Sequence, residues 1–424
     1  MFLKRYYAIF TTAVTIGLCL VLNVLTLFAQ QTTLAEDSQP VIILGSSFIL
    51  FNNVPINNLF LFAYHADTQQ WEAIPFQIDE KDAAGDFFNP DETPGLDAND
   101  ELVFIAQDVG DMAPNVAVWI DNPEAQTYPR YEIKITNPVD QSIIGWVYLY
   151  RSNTLISVQT NTDYIQYIEG PIANPAADTI KGLSYKLGNA NNGFPNFLEL
   201  AANGIDLLDR QKVRVVVRVI FSDVTLTEEN FQNPSVTPPI DGDVRVIREL
   251  TFDITVSPFG SVGSATLPVQ YFPYSLSISG ELDTDPIPFA IKKLRQTFDL
   301  NTNALGMSLF SQNNLTGIDI DGNPDPSIDT GVVFDPEINW VQITGTQGTF
   351  VNMFKMAQIG DQQSLFYRDD TTMTETNDTG DLISIGDTGI LVEGSSISGK
   401  FPLGLTSFYL KEQNQPNSLG SQLA

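Results

Sequence analysis

The stretch FNPDETPGLDANDELVF, residues 88–104, sets five carboxylates among turn-forming residues and then runs into an apolar segment. From Asp79 to Asp111 eleven acidic side chains accompany a single base, Lys81. Such a density of like charge is repulsive unless a cation joins it. Counted from Asn89, the residues Asn89, Asp91, Thr93, Gly95 (through its carbonyl), Asp97 and Asp100 fall at positions 1, 3, 5, 7, 9 and 12 of a twelve-residue calcium loop, with Leu96 at the aliphatic eighth position. A hard cation takes six to eight oxygens, and alternate residues of a curled loop point inward, so the chemistry expected here is calcium binding.

This frame resembles the calcium loop of EF-hand and dockerin modules over about a dozen residues. It departs from that loop at Thr93, where an acid is usual, and at Pro94, which stands in place of the turn glycine. The resemblance implies calcium for this loop and nothing for the rest of the chain. A second segment, DIDGNPDPSIDTG, alternates Asp319, Asp321, Asn323, Asp325 and Asp329 with turn residues, a pattern shared with extracellular calcium loops, but has no acid at the twelfth position. The competing readings are a solvated acidic turn for the first segment and a proline-rich hairpin connection for the second.

Catalytic machinery is sparse. The single histidine, His65, sits in AYHADTQQW between two strand-like segments, and no cysteine follows Cys19, so triads and histidine- or thiolate-based zinc sites lack partners. A carboxylate pair of the glycosidase kind cannot be singled out among 51 acidic residues. Basic residues are more selective. In DRQKVRVVVRVIF, Lys212, Arg214 and Arg218 alternate with Val213, Val215, Val217 and Val219, and GDVRVIREL adds Arg245 and Arg248. With Lys212, Arg214, Arg218 and Arg245 on neighbouring strands, the expectation is an anion or uronate site. The alternative is cross-strand pairing with acids such as Glu249 or Asp253, each pair contributing a few tenths to about 1 kcal/mol. IKKLRQ, with Lys292, Lys293 and Arg295, carries the same two readings. Trp71, Trp119, Trp146 and Trp340 are stacking surfaces for sugars or core residues.

The elements that must position these groups are strands. In YEIKIT, Tyr131, Ile133 and Ile135 alternate with Glu132, Lys134 and Thr136, the period of a half-buried strand. Similar segments recur along the chain, separated by Gly, Pro, Asn and Asp clusters, which predicts an all-β protein of two mainly antiparallel β-sandwich-like domains with few helices. FPNFLELAANGIDLLDR, residues 194–210, is the best helix candidate, with Phe197, Leu200 and Ala201 spaced for one face and Asn203-Gly204 interrupting it. The Pro- and Asn-rich stretch 161–182 predicts the boundary between an N-terminal domain, 36–165, which carries the acid loop, and a larger C-terminal domain, 180–424.

Lys4 and Arg5 precede an apolar run from Ala8 to Ala29, a secretory signal peptide over 1–29 with Ala29 and Ala35 as candidate cleavage points, or a retained N-terminal anchor, since the run is long enough to span a bilayer. The formal net charge of −30 becomes more negative once Lys4 and Arg5 are removed, and a surface so acidic repels nucleic acid and anionic lipid. At 43% hydrophobic and 11% aromatic the chain is too apolar for disorder. These features together predict a secreted or cell-surface binding protein, calcium-stabilised, whose partner is a polysaccharide or cell-surface glycan. The alternatives are a lyase or glycosidase acting on acidic glycan and a structural envelope component.

Overall fold

The structure is a computed structural model and describes residues 9–11, 38–91, 93–114, 118–138, 140–155, 162–200, 204–283, 289–325, 328, 332–333, 339–356, 359–397, 399–410 and 412–423. Of the leader only residues 9–11 are described; its cleavage points Ala29 and Ala35, and Asp329 of the second acidic segment, lie outside the described residues. The fold is all-β and mostly antiparallel. The chain divides into two compact units: Leu3–Tyr164 with Gly242–Arg245, and Ile165–Asp241 with Val246–Ala424. Among the described residues, no helix is long and apolar enough to cross a membrane.

The first unit contains β1 (Ile9–Thr11), β2 (Pro40–Leu44), β3 (Leu59–His65), β4 (Gln70–Ala73), β5 (Phe76–Asp79), β6 (Glu101–Ile105), β7 (Tyr131–Thr136) and β8 (Ile144–Arg151). They form a five-stranded sheet, β1-β7-β8-β3-β4, and a three-stranded one, β2-β6-β5. The period-two pattern of the sequence is realised directly: Tyr131, Ile133 and Ile135 are buried, and the residues between them are partly exposed. Leu59, Leu61 and Ala63 of β3 join Val41, Leu102, Phe104 and Ile133 in one core, and Phe60, Phe62 and Tyr64 of the same strand pack into another with Trp146 and Tyr148. The unbroken apolar run of β3 is therefore buried on both faces.

The second unit opens with a four-stranded sheet of β9 (Gln166–Ile168), β10 (Thr179–Lys181), β11 (Tyr185–Asn189) and β12 (Pro195–Leu200). Among the described residues of 194–210 there is no helix, against expectation. Leu198 and Leu200 alternate inward from β12 and pair with Leu187 and Tyr185, so non-local pairing overrides a weak helical spacing. The remaining strands are β13 (Leu208–Val219), β14 (Ser222–Thr227), β15 (Phe231–Val236), β16 (Ile240–Asp241), β17 (Val246–Val256), β18 (Gly260–Phe272), β19 (Ser275–Asp283), β20 (Ala290–Leu300), β21 (Ser308–Ser311), β22 (Asn314–Asp319), β23 (Val332–Val333), β24 (Asn339–Gly345), β25 (Gly348–Met356), β26 (Gln362–Asp370), β27 (Ser384–Ile397) and β28 (Lys400–Leu410). A six-stranded sheet, β14-β13-β20-β27-β26-β23, faces a ten-stranded one built around β17, β18, β19, β28 and β25. The core between them draws Val213, Val215, Ile390 and Val392 from one sheet and Phe252, Ile254, Phe354 and Leu405 from the other, which is a β-sandwich. A short helix, Ser418–Leu423, ends the described chain.

Candidate functional site

In the acid loop of the first unit the backbone is pinned before any cation is considered. Asp82 accepts bonds from the amides of Ala84 and Asp86 and from the Asn89 side chain, each 2.9 Å long, so Asn89 is committed to a carboxylate. Asp91 accepts from the Thr93 amide at 3.2 Å, and its Oδ2 is buried without a hydrogen-bond partner. Gly95 adopts φ 116°, and a Cβ there would lie 2.8 Å from the Val54 carbonyl oxygen, which explains glycine at this point. Leu96 docks into the core through reciprocal backbone bonds with Val54 and Asn53. Asp97 accepts from the Asn99 amide, and the fully buried Asp100 accepts from the amides of Lys81 and Asp97. Burial pushes the Asp100 carboxyl up to about 6, aided by the charges of Asp97 and Asp91. The fold thus brings Asp91, Asp97 and Asp100 into electrostatic contact and directs Asn89 elsewhere.

The segment after β22 is organised by an acid that sequence reading missed. Asp369, at the end of β26 and fully buried, accepts from the amides of Asp321 and Gly322, both at 2.8 Å, and from Gly386 at 3.1 Å. Asp319 accepts from the Ser308 hydroxyl and Asp321 from the Asn323 amide. Burial, then Asp321 and Asp319, raise the carboxyl of Asp325. Among the described residues, the acidic group whose ligand oxygens all lie within 4.8 Å of one another is a different one: Asp209, Asp299 and Asp381. Burial and the neighbouring Asp381 push Asp209 up to about 6.

The basic residues do not gather on one open face. Lys212 and Arg214 are 1% and 3% exposed. The Lys212 ammonium lies 2.5 Å from Asp299 and 2.8 Å from Asp378, and Arg214 donates to Glu228 at 2.9 Å, to Asp378 at 3.1 Å and to the Thr379 hydroxyl at 3.0 Å. Burial opposes the charge on Lys212, but Asp299 and Asp387 outweigh it and hold the group above its ordinary value. Asp299 is itself pushed well up, by burial and then by Asp387. On β20, Arg295 makes a two-pronged pair with Glu375 and lies 4.4 Å over the Phe366 ring. Arg218 sits at the surface in a pair with Asp223, and Arg245 belongs to the other unit, where it is wholly buried between Asp79 and Glu101. Arg248 pairs with Asp178 at 2.7 Å. Cross-strand and loop pairing with acids therefore accounts for these cations. The acids concerned, Glu228, Asp299, Glu375, Asp378 and Asp387, escaped notice because they come from distant segments. The one sequence signal was the alternation Lys293, Arg295, Thr297, Asp299, which repeats the charged face of β13 on its neighbour.

Beside this charge network, over β20, β26 and β27, lies a polar cleft of 670 Å³. Its wall includes Lys293, Gln362, Ser364, Arg368 and Glu393, with Arg295 below. Lys293 pairs with Glu393 at 3.1 Å, and both are part-exposed. Arg368 approaches Glu375, already engaged by Arg295, only to 3.7 Å. Trp146 and Trp340 are core residues, whereas Trp71 and Trp119 surround the Arg130 guanidinium at 5.6 and 5.0 Å. His65 meets Glu72 at 2.8 Å at the exposed end of β3. Compared with known families and curated proteins, the chain matches no family model and no curated protein.

Proposed function

We propose that this is an exported, calcium-supported binding protein whose polar cleft in the second unit takes an acidic glycan. The observation that carries the reading is the composition of the cleft. Ammonium, guanidinium, amide, hydroxyl and carboxylate groups alternate around it over a floor locked by buried ion pairs. Sugar hydroxyls donate and accept, so a wall of mixed character can satisfy them, and a few convergent polar groups on a rigid scaffold are what orients a ligand. Arg368, loosely held by a carboxylate shared with Arg295, is the natural partner for a uronate, since a guanidinium offers two parallel charge-assisted bonds. In this reading the leader directs the chain out of the cell, and mass spectrometry of the exported protein finds an N-terminus just after Ala29 or Ala35.

The test of the binding role is a glycan array of acidic and neutral oligosaccharides followed by titration of Arg368→Ala. Loss of one charge-assisted contact, worth about 1.5–3 kcal/mol, weakens acidic oligosaccharide binding by tenfold or more and leaves melting unchanged. An array with no acidic binder, or a variant that binds as wild type does, rejects the cleft as the site.

A further inference from the structure

The sandwich of the second unit holds a space that the cleft reading leaves unused. Between its two sheets is a cavity of 190 Å³ walled by Val213, Val215, Phe252, Ile254, Leu267 and Ile390 among others, with Gln211 and Gln296 as its amide groups. A lined apolar cavity of about 150 Å³ stays dry and accepts benzene, so this one has room for an apolar guest. Its shape selects the guest. The lining runs along β13 and β20 from Gln211, which pairs with Phe298, to Ile291, which pairs with Val217. That is six residues of strand, or about 20 Å at roughly 3.3 Å per residue. The lining also extends across the strands, from Phe231 of β15 to Met356 of β25. A modest volume is thus spread as a slot, a thin crevice between the sheets, which a flexible chain fits better than a bulky ring system.

One end of the slot carries a second, independent feature. Ile291 and Ile397 line the cavity and pair across β20 and β27 at that end. Phe289, just before β20, meets Phe259 of the β17–β18 turn with ring centroids 5.6 Å apart, so an aromatic pair joins the two sheets there. The neighbouring β13–β14 hairpin turns through Ile220 and Phe221, since Val219 pairs with Ser222. These two side chains are 71% and 93% exposed. Ile220 also holds φ 55°, a conformation that β-branched residues avoid and that two-residue hairpins normally give to glycine or asparagine. An apolar, strained tip runs against both local preference and solvation, and such conflicts concentrate at functional sites.

We infer that this slot is a binding site for a single unbranched acyl chain, entering past Phe259 and Phe289 with the Ile220–Phe221 tip as an apolar rim. The inference stands apart from the glycan cleft, which lies beyond the other face of the six-stranded sheet. The acyl tail replaces empty space between the sheets, and the carboxylate stays at the rim in water.

Equilibrium dialysis of the full chain with radiolabelled decanoate tests this. Ala265 and Ile278 also line the slot. Wild type takes up one equivalent, and Ala265→Leu and Ile278→Phe, which fill it, each lower the affinity at least tenfold while melting at or above the wild-type temperature. No uptake by wild type, or undiminished uptake by both folded variants, overturns the assignment. Crystals soaked with decanoate brominated at its terminal carbon decide the matter even if a filled variant does not fold. Bromine density between the sheets supports the site, and bromine density only on Phe221 or Phe259 at the surface overturns it.

Discussion

Arg214 and Arg218 look equivalent in the sequence, four residues apart on one strand, and their surroundings make them opposites. Arg214 is enclosed with Glu228 and Asp378, so removing it strands buried carboxylates; Arg218 meets Asp223 with both side chains 45% exposed. Breaking a buried pair costs about 3–5 kcal/mol, against less than about 1 for an exposed one. Urea denaturation of Arg214→Ala should show a loss of that larger size, and that of Arg218→Ala almost none. A second residue-level expectation concerns pH. Burial, with a smaller push from Glu72, raises the Asp108 carboxyl to about 6, above its ordinary 3.8. The folded state then holds this proton more tightly than the unfolded one, so its contribution is most favourable at about pH 4 or below and diminishes as pH climbs to about 6. Asp108→Asn, neutral at every pH, should melt higher than wild type at pH 7 and show no such gain at pH 4.

At the scale of elements, the acid loop is where sequence pattern and geometry meet most closely. Alternating oxygens made the calcium frame legible, and the fold does place Asp91, Asp97 and Asp100 near one another, with a buried oxygen of Asp91 lacking a hydrogen-bond partner. Extracellular loops bind calcium at about 10⁻⁴–10⁻³ M. If this loop takes calcium in that range, mass action at a few millimolar would give about 2 kcal/mol at the tight end and nearer 1 at the weak end, the end to which Thr93 and Pro94 point. Melting the protein with calcium and then with a chelator should separate the two curves, and Asp91→Ala with Asp97→Ala should abolish the separation. Identical wild-type curves in both buffers would reduce the loop to an acidic turn. The β12 region is the contrary case: Phe197, Leu200 and Ala201 suggested a helix, but a strand partner at Tyr185–Asn189 exists only in three dimensions.

Across the whole molecule the chain does not divide at a single cut, because Gly242–Arg245 returns to the first unit. Arg245 is wholly buried there, donating to Asp79 and Glu101, and the Gln77 side chain accepts from the amides of Val244 and Arg245. A fragment of residues 38–164 lacks this segment, which leaves Asp79 without its guanidinium and Glu101 with Lys81 alone. Calorimetry should find it much less stable than the unit in the full chain, with Arg245→Ala in the full chain reproducing about 3–5 kcal/mol of the loss. The sequence by itself determined the all-β architecture, because side-chain alternation is a local property that survives in one dimension: YEIKIT buries the residues its period selects. It also located the acid loop, whose oxygens lie within a dozen residues of one another. Tertiary structure alone decided the fate of the cations. Lys212 meets Asp378 across 166 residues and Arg245 meets Asp79 across the same separation. Whether a charge is a ligand-binding group or half of a buried pair depends on which distant strand or loop lies against it, and no local pattern encodes that distance.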